Sequence, residues 1–288
     1  MLAVLLAMLC FTSMDSCAKL LLENHHTVQV VWARYTGQTV LLLLIFAPSL
    51  GRRLRTRHLP IQLARSALLF TATSLFFTAL GLMPLAEAVA VFEVAPLIIT
   101  VLGAVVLGEQ VGPRRWAGVI VGLCGALIII RPGMDVFQPA ALLPLAAATC
   151  MACYQIATRF LGAADPIWTT MLYTAGVGTL VASLAVPFYW TAPQGIDILV
   201  MVGFGSLGFA GHLALVYGLG QAPASALAPF NYAGFVWALL LGFLWFGEVP
   251  DGVTFLGAAV IICAGLYVWH RERVRAAPPS AAPGGERR

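Results

Sequence analysis

The chain has 288 residues, of which 60% are apolar and only 10% charged, with a formal charge of +4 and a mean hydropathy of +0.92. Soluble domains carry roughly 25% charged residues, and a water-facing fold of this length must cover itself with polar surface that this chain does not possess. A soluble globular fold is excluded, and so is a nucleic-acid partner, which requires a concentrated basic surface; the lipid bilayer is the partner that the composition fits.

A bilayer core of about 30 Å takes about 20 helical residues. Ten apolar runs of that order follow one another, at residues 2–22, 28–46, 63–82, 85–107, 116–130, 140–160, 167–189, 196–219, 225–246 and 253–269. The first has no basic leader and contains Asp15 and Lys19, so it reads as a span and not as a signal peptide. Basic residues stay on the cytoplasmic side of short loops. With the N-terminus inside, the inner loops collect Arg52, Arg53, Arg55, Arg57, Arg114, Arg115 and Arg159, whereas the outer loops hold only Arg131. Both termini are therefore expected in the cytoplasm. The six cysteines fall within predicted spans, and Cys150-x-x-Cys153 has no second pair, so neither a metal site nor a cofactor is expected.

An internal repeat is the next signal. At one constant offset Pro84 meets Pro223, Gly103 meets Gly242, Gly108-Glu109 meets Gly247-Glu248 and Gly118 meets Gly257. One residue out of that register, Ala7, Cys10 and Lys19 meet Ala147, Cys150 and Arg159. The expected organisation is a first five-helix repeat at 1–135, a second at 136–270 and a disordered cytoplasmic tail at 271–288. Five crossings per copy invert the second relative to the first. Inverted repeats suit secondary transport, because one sequence then has two arrangements of similar energy.

Ionisable groups in hydrocarbon cost several kcal/mol unless paired or facing a wet cavity. Asp15, Lys19, Arg34, Glu87, Glu93 and His212 lie within the predicted spans. Asp15 and Lys19 share a face of span one and, with Arg34 and Glu87, lie in the outer half of the bilayer. That group reads equally as a structural charge network or as an outer gate, where Arg34 meets a substrate carboxylate and Asp15 or Glu87 an ammonium. Glu93 sits deeper, on a face of small residues near Pro96, which is expected to bend span four; Pro229 is expected to do the same in span nine. The repeat sets Phe92-Glu93 against Asn231-Tyr232. Glu93, Asn231, Tyr232 and His212 are therefore candidate substrate residues, with Tyr154, Phe77 and Thr78 as further cavity lining. No paired carboxylates, nucleophile and base, or metal ligands converge, so an enzyme is not expected.

Asp15-Ser-Cys-Ala-Lys19, Arg34-Tyr35, Leu85-Ala-Glu-Ala, Leu107-Gly-Glu-Gln, Arg131-Pro-Gly, Ala222-Pro-Ala-Ser-Ala, Phe246-Gly-Glu248 and the closing Gly265-Leu-Tyr together resemble the EamA type of the drug/metabolite transporter superfamily. The resemblance implies an all-α membrane fold in which spans one to four and six to nine surround a central cavity, with spans five and ten outside. It further implies a bacterial inner-membrane transporter of small molecules that works as a monomer. Within the superfamily the expectation is a YddG-like exporter of amino acids, aromatic and others such as threonine or methionine. The alternative is an uptake carrier for a cofactor-like metabolite such as S-adenosylmethionine or riboflavin.

Overall fold

The computed structural model describes residues 1–132, 139–161, 165–221 and 227–276. These are helical, with no strand among them. Ten helices are long and apolar enough to cross a membrane: Leu2–Leu22, Thr27–Ser49, Leu59–Leu80, Leu85–Val106, Pro113–Ile130, Pro139–Leu161, Ile167–Phe188, Ile196–Leu215, Pro229–Phe246 and Gly252–Arg271. They are spans one to ten below. Helices suit this role because lipid offers the backbone no hydrogen bonds, so each peptide group must be satisfied within its own segment.

Two boundaries differ from the hydropathy reading. Span three begins at Leu59, four residues early, because Pro60 sits in its first turn, where a missing N–H costs nothing, and Gln62 and Arg65 find partners inside the protein. The last helix runs from Gly252 through Ala276, into the stretch expected to be a disordered tail; 277–288 lie outside the described residues, as does the repeat motif at 222–226.

The spans interlock the two halves of the chain. Following the main packing contacts from span one leads to eight, two, seven, three, six, four and nine, and back to one. The eight spans form a closed ring in which every main contact joins the first half to the second. Spans five and ten pack chiefly on each other beside it. The ring is the basket, and its middle is where intramembrane polar groups can gather. Outward, leucines and valines such as Leu44, Val105 and Leu184 are more than two-thirds exposed, which suits acyl chains and not water.

Small residues set how close neighbouring spans come. Spans two and eight touch backbone to backbone, and a Cβ placed on Gly205 would lie 2.6 Å from the Gly37 Cα. Spans two and seven are stitched by polar pairs. Trp32 Nε1 donates to Ser183 at 3.0 Å, Thr39 and Thr179 share a hydrogen bond of 2.8 Å, and the Gln29 amide exchanges two bonds with the Thr191 backbone at 2.7 and 2.9 Å. At the end of spans five and ten Arg131 pairs with Asp251 and holds that carboxyl down at about 2.

The Gly37–Gly205 crossing can be tested. Gly205→Leu should cost about 1–3 kcal/mol through forced separation of spans two and eight. Gly203→Leu, at a glycine whose side-chain direction is open, should cost little. Thermal unfolding in detergent compares them, and equal melting would remove the close approach as a constraint.

Candidate functional site

Two broken helices face the ring's middle. Span four is a helix at Leu85–Phe92 and a second at Ala95–Val106, with Glu93 and Val94 between. Pro96 explains the position of the break: its ring collides with the carbonyl four residues earlier, that of Phe92, and it supplies no N–H. Span nine opens with a tight turn of 3-10 helix, Ala228–Tyr232, containing Pro229, before its α-helix Ala233–Phe246. The break in span four lies where Pro96 was expected to place it, whereas Pro229 stands in the 3-10 turn that opens span nine.

Glu93 stands at the first break. Its carboxylate is half-buried and accepts no hydrogen bond among the described residues. It faces the bare surface of Gly234, where a Cβ would lie 3.5 Å from Glu93 Oε1 and 3.9 Å from the hydroxyl of Thr12. Thr12 is tied down, donating to Met8 and Gly234 carbonyls. Asp15 follows Thr12 on the same face of span one, about 4.5 Å further along the axis. It too is half-buried with no hydrogen bond, and it lies in the field of Arg34 without forming an ion pair.

Arg34 on span two is 8% exposed. One terminal nitrogen donates to Thr73 Oγ1, which also shares a 3.1 Å hydrogen bond with Tyr35. The guanidinium plane lies over the Tyr35 and Phe77 rings, at 5.2 and 5.6 Å from their centroids. Its Nε is buried with no partner. A buried cation and two carboxylates therefore lie on spans one, two and four, none satisfied by a direct opposite charge among the described residues.

The charge group expected from Asp15, Lys19, Arg34 and Glu87 divides in two. Asp15 and Arg34 lie in one another's field. Lys19 turns away, pairing with Glu248 at 2.6 Å and donating to the Met83 carbonyl at 2.7 Å. Glu87 lies in the combined field of Asp251, Arg131, Glu248 and Lys19 near the same membrane face. The physical reason is reach: the four-carbon stem of lysine carries its charge past the end of its helix, to a partner in the turn after span nine.

The other candidates also sort. Tyr232 is buried and points at span ten, where a Cβ on Gly265 would overlap its phenol oxygen at 1.6 Å, while neighbouring Asn231 is exposed. His212, in the last turn of span eight, bonds through Nδ1 to the Gly208 carbonyl at 2.8 Å and meets Phe11 edge-on at 5.0 Å between ring centroids. Phe77 is fully buried beneath Arg34, and Thr78 bonds back to its own helix at Ser74. Tyr154 is held by a residue that the sequence reading passed over. Arg65, 1% exposed on span three, donates to Tyr154 at 2.7 Å, to Thr158 at 3.1 Å and to Gln62 at 3.2 Å, and more weakly to Thr170 and Thr174. The signal was available, since Arg65 is a cation inside the predicted third span. It belongs on the list of intramembrane charges, as the post that fixes Tyr154 and binds span three to six and seven.

Two stretches of the chain, 1–131 and 138–269, match the sequence profile of the EamA-like transporter family. Over 269 residues, 93% of this chain and 92% of the relative, it is 25% identical to the S-adenosylmethionine uptake transporter of Rickettsia felis. Over 152 residues, 52% of this chain and 51% of the relative, it is 31% identical to the riboflavin transporter of Vibrio cholerae. A protein of known crystal structure superposes with a TM-score of 0.63 over 94% of this chain and 99% of its own, at 21% identity, which shows a common fold.

Arg65 should be structural first. Arg65→Ala strands several buried acceptors, so a loss of about 2–3 kcal/mol is expected, and Arg65→Lys should recover only part because a point charge cannot replace the guanidinium fork. Thermal unfolding in detergent reads both, and melting unchanged in Arg65→Ala would refute the role.

Proposed function

We propose that this chain, which belongs to the EamA-like transporter family, carries a metabolite with an amino-acid head and one further positive charge, of the S-adenosylmethionine kind. It is a multi-pass membrane transporter and not an enzyme. The observation that carries the proposal is the set of unpaired charges in the ring: Arg34 on one side, Asp15 and Glu93 on the other. A charge without a counterion is costly in a low-dielectric interior, so a ligand that supplies the missing partners gains what the empty site lacks. S-adenosylmethionine bears one carboxylate, one ammonium and one sulfonium. Its carboxylate suits the Arg34 guanidinium, and its two cations suit Asp15 and Glu93.

Riboflavin, the ligand named for the other relative, has neither carboxylate nor ammonium and would leave all three groups unmatched. The amino-acid exporter first expected is the second reading, because a zwitterion satisfies Arg34 and Asp15 equally well; only a dicationic amino acid such as lysine also engages Glu93. The relatives named for S-adenosylmethionine favour uptake. In this proposal each half of the chain is one inverted repeat, the carrier acts as a monomer in a bacterial inner membrane, and the arginine bias keeps both termini in the cytoplasm.

Proteoliposomes offered labelled S-adenosylmethionine, lysine, threonine, methionine, phenylalanine or riboflavin test the substrate. S-adenosylmethionine flux is expected, and Arg34→Gln should lower it roughly 10–100-fold, the worth of a charge-assisted hydrogen bond. Glu93→Gln should weaken S-adenosylmethionine while leaving competition by S-adenosylhomocysteine, which lacks the sulfonium, unchanged. Flux of amino acids without S-adenosylmethionine would transfer the assignment to the second reading, and flux of neither would end the proposal.

A further inference from the structure

Spans four and nine end in the same turn, although only one copy sits at each membrane face. Gly108 and Gly247 adopt left-handed φ values of 70° and 66°, which side chains resist. The next residue's N–H then reaches back, Glu109 to the Gly103 carbonyl at 3.1 Å and Glu248 to the Gly242 carbonyl at 3.0 Å. Each carboxylate is thereby folded over a glycine that has no side chain to obstruct it; a Cβ on Gly103 would lie 2.9 Å from Glu109 Oε2, and one on Gly242 3.8 Å from Glu248 Oε2.

Each carboxylate so aimed meets a cation on the opening span of the other half. Glu248 pairs with Lys19 of span one at 2.6 Å, and Glu109 pairs with Arg159 of span six at 2.8 Å. Glu109 and Glu248 correspond at the constant offset of the repeat, and Lys19 and Arg159 correspond one residue out of that register. One ion pair is therefore built twice. Because each half holds five spans, the two copies sit at opposite ends of the ring.

We propose that these are the two end latches of the carrier, Lys19–Glu248 closing one face and Glu109–Arg159 the other; the inference rests on the transporter reading but not on the substrate. The two are unequal. The Lys19 and Glu248 side chains are 13% and 21% exposed, and the pair is extended by Lys19 to the Met83 carbonyl and by the Leu85 N–H to Glu248 Oε2 at 2.9 Å. It thus ties span one, the turn before span four, and the end of span nine. Arg159 and Glu109 are 51% and 42% exposed and joined by one ion pair. Exposed pairs contribute little and are screened by salt, whereas a sheltered pair with additional hydrogen bonds resists opening. The carrier therefore rests with its Lys19 end shut, and the Arg159 end opens more readily.

The test uses the full chain with its six cysteines replaced and Asp15→Cys as a reporter in the ring, labelled by a membrane-impermeant maleimide in right-side-out and inside-out vesicles. Lys19→Met and Glu248→Gln should each raise labelling from the Lys19 face by roughly tenfold, the shift expected when a latch of that kind is lost, with no rise from the opposite face. Arg159→Met and Glu109→Gln should raise it only from the opposite face, and by less. The charge exchange Lys19→Glu with Glu248→Lys should return labelling towards the parent rate. Thermal melting verifies that each variant is folded. Folded single variants that label as slowly as the parent, or a charge exchange that labels as fast as the single variants, would overturn the latch. Because labelling needs no substrate, a failed latch and a failed substrate assignment give different results: changed labelling, beside no S-adenosylmethionine flux by the chain with Asp15 intact, would remove only the latter.

Discussion

A charge in hydrocarbon has no water to fall back on, and the placement of this chain's few ionisable side chains follows from that constraint. Arg65 meets it by taking donors' partners from three spans, all of them neutral hydroxyl, amide or carbonyl groups. Lys19 meets it by reaching to the membrane edge and pairing with Glu248. Arg34 meets it only in part, through Thr73 and two aromatic rings, and Asp15 and Glu93 have no hydrogen bond or ion pair among the described residues. In the function proposed above, a ligand completes those three, and the difference between satisfied and unsatisfied charges separates scaffold from site.

The ring itself depends on the halves being interleaved. Because each main contact of the ring joins the first half to the second, neither half has an independent core to fold around, and a shift of one half against the other moves every wall of the cavity at once. The close crossing at Gly37 and Gly205 and the polar stitches between spans two and seven limit which shifts are cheap. The matched Gly-Glu turns each carry a carboxylate that pairs with a cation of the other half, Glu248 with Lys19 and Glu109 with Arg159, the contacts proposed above as end latches.

The break in span four and the 3-10 opening of span nine fall at matching places in the two halves. Proline creates them by subtraction, removing an N–H and excluding a carbonyl, so that the helix yields at Glu93–Val94 and at Ala228–Tyr232. The two prolines are not equivalent in the repeat, yet the resulting breaks are: Glu93 and Tyr232 occupy matching positions. One carries a free carboxylate into the ring, whereas the other is turned aside against Gly265 of span ten. Corresponding positions of the two halves thus carry side chains with different surroundings.

What the sequence determined by itself was everything that depends on local chemistry. Ten spans follow from apolar runs matched to bilayer thickness, the helix breaks from proline, the duplicated turn from Gly-Glu at a constant offset, and the candidate site from charges placed where water is scarce. The pairing of those charges was not legible, because partners such as Lys19 and Glu248 are far apart in the chain and depth alone cannot tell which of several charges at one level will meet. Asp15 and Lys19 share a helical face and still serve different sites, since the length of the lysine stem decides where its ammonium lands. The sequence likewise did not show that Arg65 holds the Tyr154 hydroxyl or that Tyr232 packs against Gly265 of span ten. Only the packed ring decided which polar groups were satisfied by neighbours and which were left open, because that is a property of distances between spans and not of any span alone.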